Sequence, residues 1–138
     1  MTQTSSTLLS DLAEAIAAVF DVVCVAVVVE GRDAPTHCFG DQQVGQRLVQ
    51  FPAVRKALAD GLPSTEEPPR DGSMGEAGVI GIEPLSILAD EPATVIAFAP
   101  RDSADLERAV ALVNVLATET ANQLALLRQA PFLASALA

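Results

Sequence analysis

"VVCVAVVVE", residues 22–30, is the stretch that decides the fold of this chain. It is rich in β-branched valine and apolar at odd and even positions alike, as in a strand covered on both faces of its sheet. The preceding residues, "STLLSDLAEAIAAVF" at 6–20, carry apolar side chains at helical spacing. "GRDAP" and "THCFG" follow as a turn and a short returning strand. The sequence therefore predicts a helix running into a central strand, which then closes a hairpin.

The middle of the chain alternates short helical segments with breakers. "QQVGQRLVQFPAVRKALADG", residues 42–61, predicts two short helices separated at Pro52, and Gly61 suits the end of the second. "LPSTEE" at 62–67 predicts a short edge strand. Residues 68–78, "PPRDGSMGEAG", are dense in proline and glycine and predict a mobile loop.

The last third predicts a hairpin and a long helix. "GVIGIEPLSIL" and "ATVIAFAP" indicate two strands joined by the turn "ADEP", with a bend or bulge at Pro84. A long helix follows, with Asp102 or Ser103 as its cap and Pro131 as its expected end. We therefore expect one domain over residues 1–138, with a core at about 5–130 and an apolar tail at 131–138.

Composition excludes several function classes. The 138 residues carry a net charge of −10, and the scattered arginines form no basic stripe, so we expect no binding to nucleic acid or to anionic membranes. The longest apolar run, "VVCVAVVV" at 22–29, is too short to span a bilayer, and no secretory leader is expected. Two cysteines make no disulfide scaffold. These features predict a soluble cytoplasmic protein with reduced thiols.

Three stretches together resemble a GAF domain. They are "LAEAIAAVFDVVCVAVVVEG", "FPAVRKALADGLP", and "IGIEPLSILADEPATVIAFAP" followed by the long helix. The resemblance implies an α+β fold with an antiparallel sheet. The terminal helices would pack on one face, and the short helices and loops would cover the other face, where they could enclose a ligand.

The resemblance also implies a role, since most GAF domains are sensory or regulatory modules and few are enzymes. We expect a non-catalytic module that binds a small molecule, with the cofactor unknown. The candidate ligand contacts are Phe39, Gln42, Gln43, Arg47 and Phe51. The first alternative is a structural interaction module with a collapsed pocket. A more distant alternative is an enzyme like free methionine sulfoxide reductase, which needs a set of reactive cysteines where this chain has only Cys24 and Cys38.

Other reactive residues are interpreted as structural. His37 and Cys38 are adjacent in a predicted strand, so they point to opposite faces and should not act together, and one histidine falls short of a metal site. A contact of one thiol with a ligand, or a haem held by His37, is the remaining functional alternative. The carboxylate pairs at 66–67 and 90–91 stand beside prolines and are expected to be solvated.

The final helix carries more than one apolar stripe, which bears on assembly. One stripe is needed to pack on the sheet, yet further apolar side chains surround the helix and follow it: Leu112, Val115, Leu116, Leu126, Phe132, Leu133 and Leu137. Burying each Leu or Val stabilises by about 1.5–3 kcal/mol. We therefore expect a homodimer through the terminal helices, the alternative being that the chain's own tail covers the second stripe.

Overall fold

The computed structural model describes residues 5–85 and 92–137. Its elements, in chain order, are α1 (Ser5–Val19), β1 (Val22–Val29), β2 (His37–Gly40), α2 (Gln42–Gln50), α3 (Pro52–Asp60), β3 (Ser64–Glu66), β4 (Ile80–Leu85), β5 (Thr94–Pro100), a 3-10 turn (Ser103–Asp105) and α4 (Leu106–Leu137). Within these residues, no helix combines the length and the apolar character that a membrane span requires.

The strands form one sheet in the order β2-β1-β5-β4-β3, and every neighbouring pair is antiparallel. The valine-rich strand β1 is internal, as its apolar pattern predicts, but the centre of the sheet is β5. All seven residues of β5 are buried. The short strand β3 forms one edge, as predicted.

Helices cover both faces of the sheet. On one face, α1 and α4 lie against each other, with α1 on β1 and β2 and α4 on β4. On the other face, α2 packs on β1 and β2, while α3 packs on β3, β4 and β5. The two apolar clusters so formed include Leu12, Ile16, Val25, Val27, Ile96 and Phe98 under α1 and α4, and Val44, Leu48, Val54, Ile80, Ile82 and Val95 under α2 and α3. The predicted α+β arrangement is confirmed.

Local signals fix the short helices. The Asp41 side chain caps α2 by accepting from the N–H groups of Gln43 and Val44. Pro52 stands in the first turn of α3, and Gly61 ends that helix in the left-handed region at φ 71°. Asp102 caps the 3-10 turn that precedes α4, as one of the two predicted alternatives.

Two predictions that involve proline are wrong. Pro131 does not end α4, which continues to Leu137; proline has a helical φ, and passing it costs about 3 kcal/mol rather than preventing the helix. Pro84 introduces no shift in the register between β4 and β5. It lies beyond the part of β4 that pairs with β3, so its missing N–H costs no hydrogen bond on that side. The predicted turn at 89–92 falls largely outside the described residues.

A bulge in β1 changes which side chains share a face. Val22 pairs with Pro100 and Cys24 pairs with Ala99, so Val23 is an extra residue relative to β5. Val23 and Cys24 consequently both contact the cluster under α2 and α3, although they are adjacent in the strand. Cys24 follows the regular alternation with Ala26 and Val28, so the bulge is what brings Val23 onto the same face.

Glu83 is a buried acidic residue in β4, with 8% of its surface exposed. It alternates in phase with Leu85, which belongs to the cluster under α1 and α4, and so faces those helices. Burial disfavours the charged carboxylate and raises the pKa of Glu83 above its ordinary value of 4.5.

We expect Glu83→Gln to raise the free energy of unfolding at pH 7. The raised pKa of Glu83 means that its protonation stabilises the fold fully below pH 4.5, and that this stabilisation is lost as the pH rises through the folded-state pKa. The advantage of the glutamine should therefore shrink as the pH falls through the raised folded-state pKa and should be lost below about 4.5. Urea unfolding of both proteins at pH 7 and below pH 4.5 measures this difference in the free energy of unfolding. Glu14→Gln, which removes the same charge from an exposed position, is the matched control for the loss of one carboxylate. A Glu83→Gln effect of equal size at both pH values would contradict the assignment.

Candidate functional site

An open groove of about 750 Å³ lies against the outer side of α2. Its walls come from α2, from the start of α3 and from the loop at 68–78. The lining residues are Gln43, Gln46, Arg47, Gln50, Phe51, Pro52, Pro69, Ser73 and Met74.

Helix α2 forms one wall of the groove because it is amphipathic. Val44, Leu48 and Val49 are buried against the sheet, so the polar residues of the helix face outward. The second wall is held in place by Met74, which is 4% exposed and belongs to the cluster under α2 and α3. The loop at 68–78 therefore has no strand or helix, as predicted, but is anchored to the core.

Arg47 connects the two walls. Its guanidinium donates a hydrogen bond to the Ser73 carbonyl oxygen, and the Ser73 N–H donates to Asp71 Oδ1 at 2.9 Å. Hydrogen bonds to Asp71 from the Ser73 side chain and from the Ser73 N–H, with the nearby charge of Arg47, lower the pKa of Asp71. Phe51, Pro52, Pro69 and Met74 give the groove its apolar surface. The site thus combines apolar walls with one cation and several amides.

The second site is a pair of thiols beneath α2. Cys38 pairs directly with Ala26, so Cys24 is its diagonal neighbour on the same face of the sheet. The two Sγ atoms lie 3.5 Å apart, and both cysteines are free thiols. Gly45 of α2 lies directly above them: a Cβ at that position would stand 2.4 Å from Cys38 Sγ and 3.3 Å from Cys24 Sγ.

The thiols differ in exposure and acidity. Cys24 is fully buried, whereas Cys38 is partly exposed. The hydrogen bond between the sulfur atoms lowers the pKa of Cys38, while the same bond and burial raise the pKa of Cys24. Cys38 is therefore the more nucleophilic sulfur, with Cys24 as the proton donor.

No family model matches the sequence, and no curated protein matches it either. Its structure is similar to the crystal structure of the GAF domain/HD domain protein from Geobacter sulfurreducens, with a TM-score of 0.58. The match covers 91% of this chain and 95% of that one. The chain has a GAF-like fold. At 13% identity, the similarity establishes the fold alone.

Three of the five predicted ligand contacts line the groove of this GAF-like fold: Gln43, Arg47 and Phe51. Gln42 does not, since its side-chain amide donates to the carbonyl oxygens of Cys38 and Gly40. Phe39 lies on the opposite face, where it packs against the cluster under α1 and α4. Strand alternation explains this placement, because its neighbour Cys38 faces α2.

The groove is not where the resemblance implied. The resemblance implied a ligand enclosed between the sheet and the short helices and loops that cover it, but the clustered side chains of α2, α3 and the sheet fill that space. The site instead lies outside α2 and uses the loop at 68–78. The sequence argument missed the other six lining residues: Gln46, Gln50, Pro52, Pro69, Ser73 and Met74. The spacing of Gln43, Gln46 and Gln50 places them on one helical face, which is a signal for the α2 part of the site.

His37 faces away from the thiol pair, as predicted. Its Nδ1 atom lies 3.2 Å from the Thr36 hydroxyl, and burial lowers its pKa. Across the described part of the chain, no three His, Cys, Asp or Glu side chains converge as metal ligands would. Of the carboxylate pairs, Glu66 accepts from the Ser64 hydroxyl and Glu67 is exposed, while residues 90–91 lie outside the described residues.

We expect native alkylation to modify one thiol per chain, at Cys38. Because the pKa of Cys38 is lowered, the labelling rate should rise at a pH below 9.0, and Cys24→Ala should move that rise to higher pH by removing the hydrogen bond. Iodoacetamide labelling followed by peptide mass spectrometry measures both effects. Cys38→Ser should abolish the fast reaction; equal labelling of Cys24 in the native protein would contradict the difference in burial.

Proposed function

We propose that this chain is a non-catalytic sensory or regulatory module that binds a small molecule in the groove outside α2. The observation that carries the proposal is the groove itself. Its volume of about 750 Å³ suits a small-molecule site, since such sites commonly span roughly 300–1,000 Å³ and combine apolar walls with a few polar groups. The groove outside α2 supports ligand binding, whereas the packed space between α2, α3 and the sheet is what the alternative, an interaction module with a collapsed pocket, would have.

The groove chemistry favours a ligand with an apolar body and one anionic group. Arg47 is the only cation among the described lining residues. A guanidinium has five N–H donors, and the bond to Ser73 uses one direction of that fork. Phe51 and Met74 would contact the apolar body. The glutamines at 43, 46 and 50 offer neutral donors and acceptors that fix its orientation.

The lining residues support binding rather than catalysis. None of those that the structure describes is a His, Cys, Asp or Glu, so the groove lacks a nucleophile beside a general base. The protein's net charge of −10 argues against nucleic acid as a partner. Free thiols suit a reducing compartment, and we place the protein in the cytoplasm on that basis.

We expect Arg47→Ala to weaken binding of an apolar anion by about tenfold, the loss of one charge-assisted hydrogen bond worth roughly 1.5–3 kcal/mol. The probe is 8-anilinonaphthalene-1-sulfonate, titrated by fluorescence against the folded protein. Arg55→Ala removes the same charge from α3, outside the lining, and should leave the affinity unchanged. Gln50→Trp should reduce binding by filling the groove. If the Arg47 and Arg55 variants bind equally, the probe does not use this site.

We also propose that the module signals as a homodimer through α4. That helix has 32 residues and is about 48 Å long, whereas α1, with 15 residues, covers about 22 Å. Thr120 is the last buried side chain described on α4. Val115 and Leu126 are 65% and 58% exposed, and their eleven-residue spacing, about three turns, puts them on one side. A second copy would bury both under twofold symmetry.

The exposure of the side chains on α4 decides which substitutions test the dimer best. Leu116, one of the stripe residues identified from the sequence, is partly buried against the cluster under α1 and α4, so changing it would also disturb the core. Val115 and Leu126 are the better positions. Their exposure separates an effect on assembly from an effect on folding.

We expect wild-type protein at micromolar concentration to have a dimeric mass in light scattering. Val115→Glu and Leu126→Glu should each yield monomers, because burying an unpaired carboxylate in an apolar interface costs several kcal/mol. Arg70→Glu, in the exposed loop, should stay dimeric. Thermal melts monitored by circular dichroism verify that the variants are folded. A monomeric wild-type protein would refute the dimer.

A further inference from the structure

We propose that Cys24 and Cys38 form a hydroperoxide-reactive dithiol that closes to an intramolecular disulfide. The proposal rests on the 3.5 Å separation of the two sulfur atoms across β1 and β2. A disulfide needs about 2.05 Å, so the sulfur atoms must approach by only about 1.5 Å. This site is separate from the groove, and it does not depend on ligand binding there.

The two cysteines have complementary positions for this chemistry. Cys38 is partly exposed near the end of β2, where a small hydroperoxide can reach it. Cys24 is fully buried, so an oxidant reaches it only through Cys38. The hydrogen bond between them favours the thiolate at Cys38 and the thiol at Cys24. Cys38 is thus the attacking residue, and Cys24 is the resolving one.

The reaction has two balanced steps. First, the Cys38 thiolate attacks one oxygen of the hydroperoxide; an S–O bond forms, the O–O bond breaks, and the departing oxygen takes a proton to leave as an alcohol or water. The sulfur, now a sulfenic acid, has lost the two electrons that the peroxide gained. Second, the Cys24 sulfur attacks the Cys38 sulfur; an S–S bond forms, the S–O bond breaks, and hydroxide leaves with the Cys24 proton as water. An external dithiol then reduces the disulfide to the two thiols by exchange and is itself oxidised to a disulfide.

Gly45 makes the arrangement possible. A side chain there would collide with Cys38 Sγ at 2.4 Å, and α2 is fixed over the thiols by its buried Val44 and Leu48. In a helix interior, glycine is less favourable than alanine by roughly 0.5–1 kcal/mol. The absence of a side chain at this position therefore leaves the space that the two sulfur atoms occupy.

The test treats full-length protein with an equimolar amount of hydrogen peroxide, alkylates it under denaturing conditions and identifies the products by peptide mass spectrometry. We expect a Cys24–Cys38 disulfide that dithiothreitol reverses. Cys24→Ser and Cys24→Ala should stop at the sulfenic acid, which dimedone traps on Cys38. Cys38→Ser should not react quickly.

Gly45→Ala supplies a geometric control that keeps both thiols. Its added methyl should separate the sulfur atoms and slow disulfide formation by about tenfold, which corresponds to ~1.4 kcal/mol, whereas Lys56→Ala, at an exposed position of α3 outside the groove, should react like wild type. Thermal melts show which variants are folded. The oxidation of the wild-type protein tests the proposal even if none of the variants folds. Unchanged thiols, oxidation of Cys38 beyond the sulfenic acid without a disulfide, or only intermolecular disulfides in the wild type would each overturn the proposal.

Discussion

Strands β1 and β5 lie side by side with both faces apolar, so each requires a helical layer above and below it. Every side chain from Val23 to Val28 is buried, and so is all of β5. Leaving one such face in water would forgo about 25 cal/mol for each Å² of apolar surface. The pairing of α1 with α4 on one face, and of α2 with α3 on the other, satisfies this requirement. The positions of both candidate sites follow from it.

Both candidate sites adjoin helix α2, which this constraint holds against the sheet. Its apolar side is fixed to the sheet by Val44, Leu48 and Val49, so its polar side must form part of the surface. The groove lies there because the buried Met74 anchors the loop at 68–78, and Ser73 of that loop accepts a hydrogen bond from Arg47. The inner side carries Gly45 over the thiol pair. One helix of nine residues therefore separates the candidate groove from the pair of thiols.

The bulge at Val23 places two neighbouring side chains of β1 on the same face of the sheet. An extra residue shifts the phase of β1 relative to β5, so that Val23 and Cys24 both contact the layer of α2 and α3. On the other side of β1, the register with β2 is continuous from Cys24 to Val27. This continuous β1–β2 register, which begins after the bulge, brings Cys24 and Cys38 onto one face. The contact is a product of strand register, which has no counterpart in the spacing of two cysteines along the chain.

Periodicity and breakers in the sequence determined the elements, because burial pattern and backbone preference act locally. The valine run of β1, the helical spacing of α1, Pro52 and Gly61 are examples, and they suffice for the α+β layer arrangement. Gln43, Arg47 and Phe51, which were predicted as ligand contacts because the GAF resemblance implies a pocket in their segment, line the candidate groove. Tertiary structure alone decided the rest: the packed space beneath α2, the position of Phe39 on the other face, and the approach of Cys24 to Cys38. These depend on strand register and on where a loop is anchored, and a one-residue change in register moves a side chain to the opposite face of the sheet.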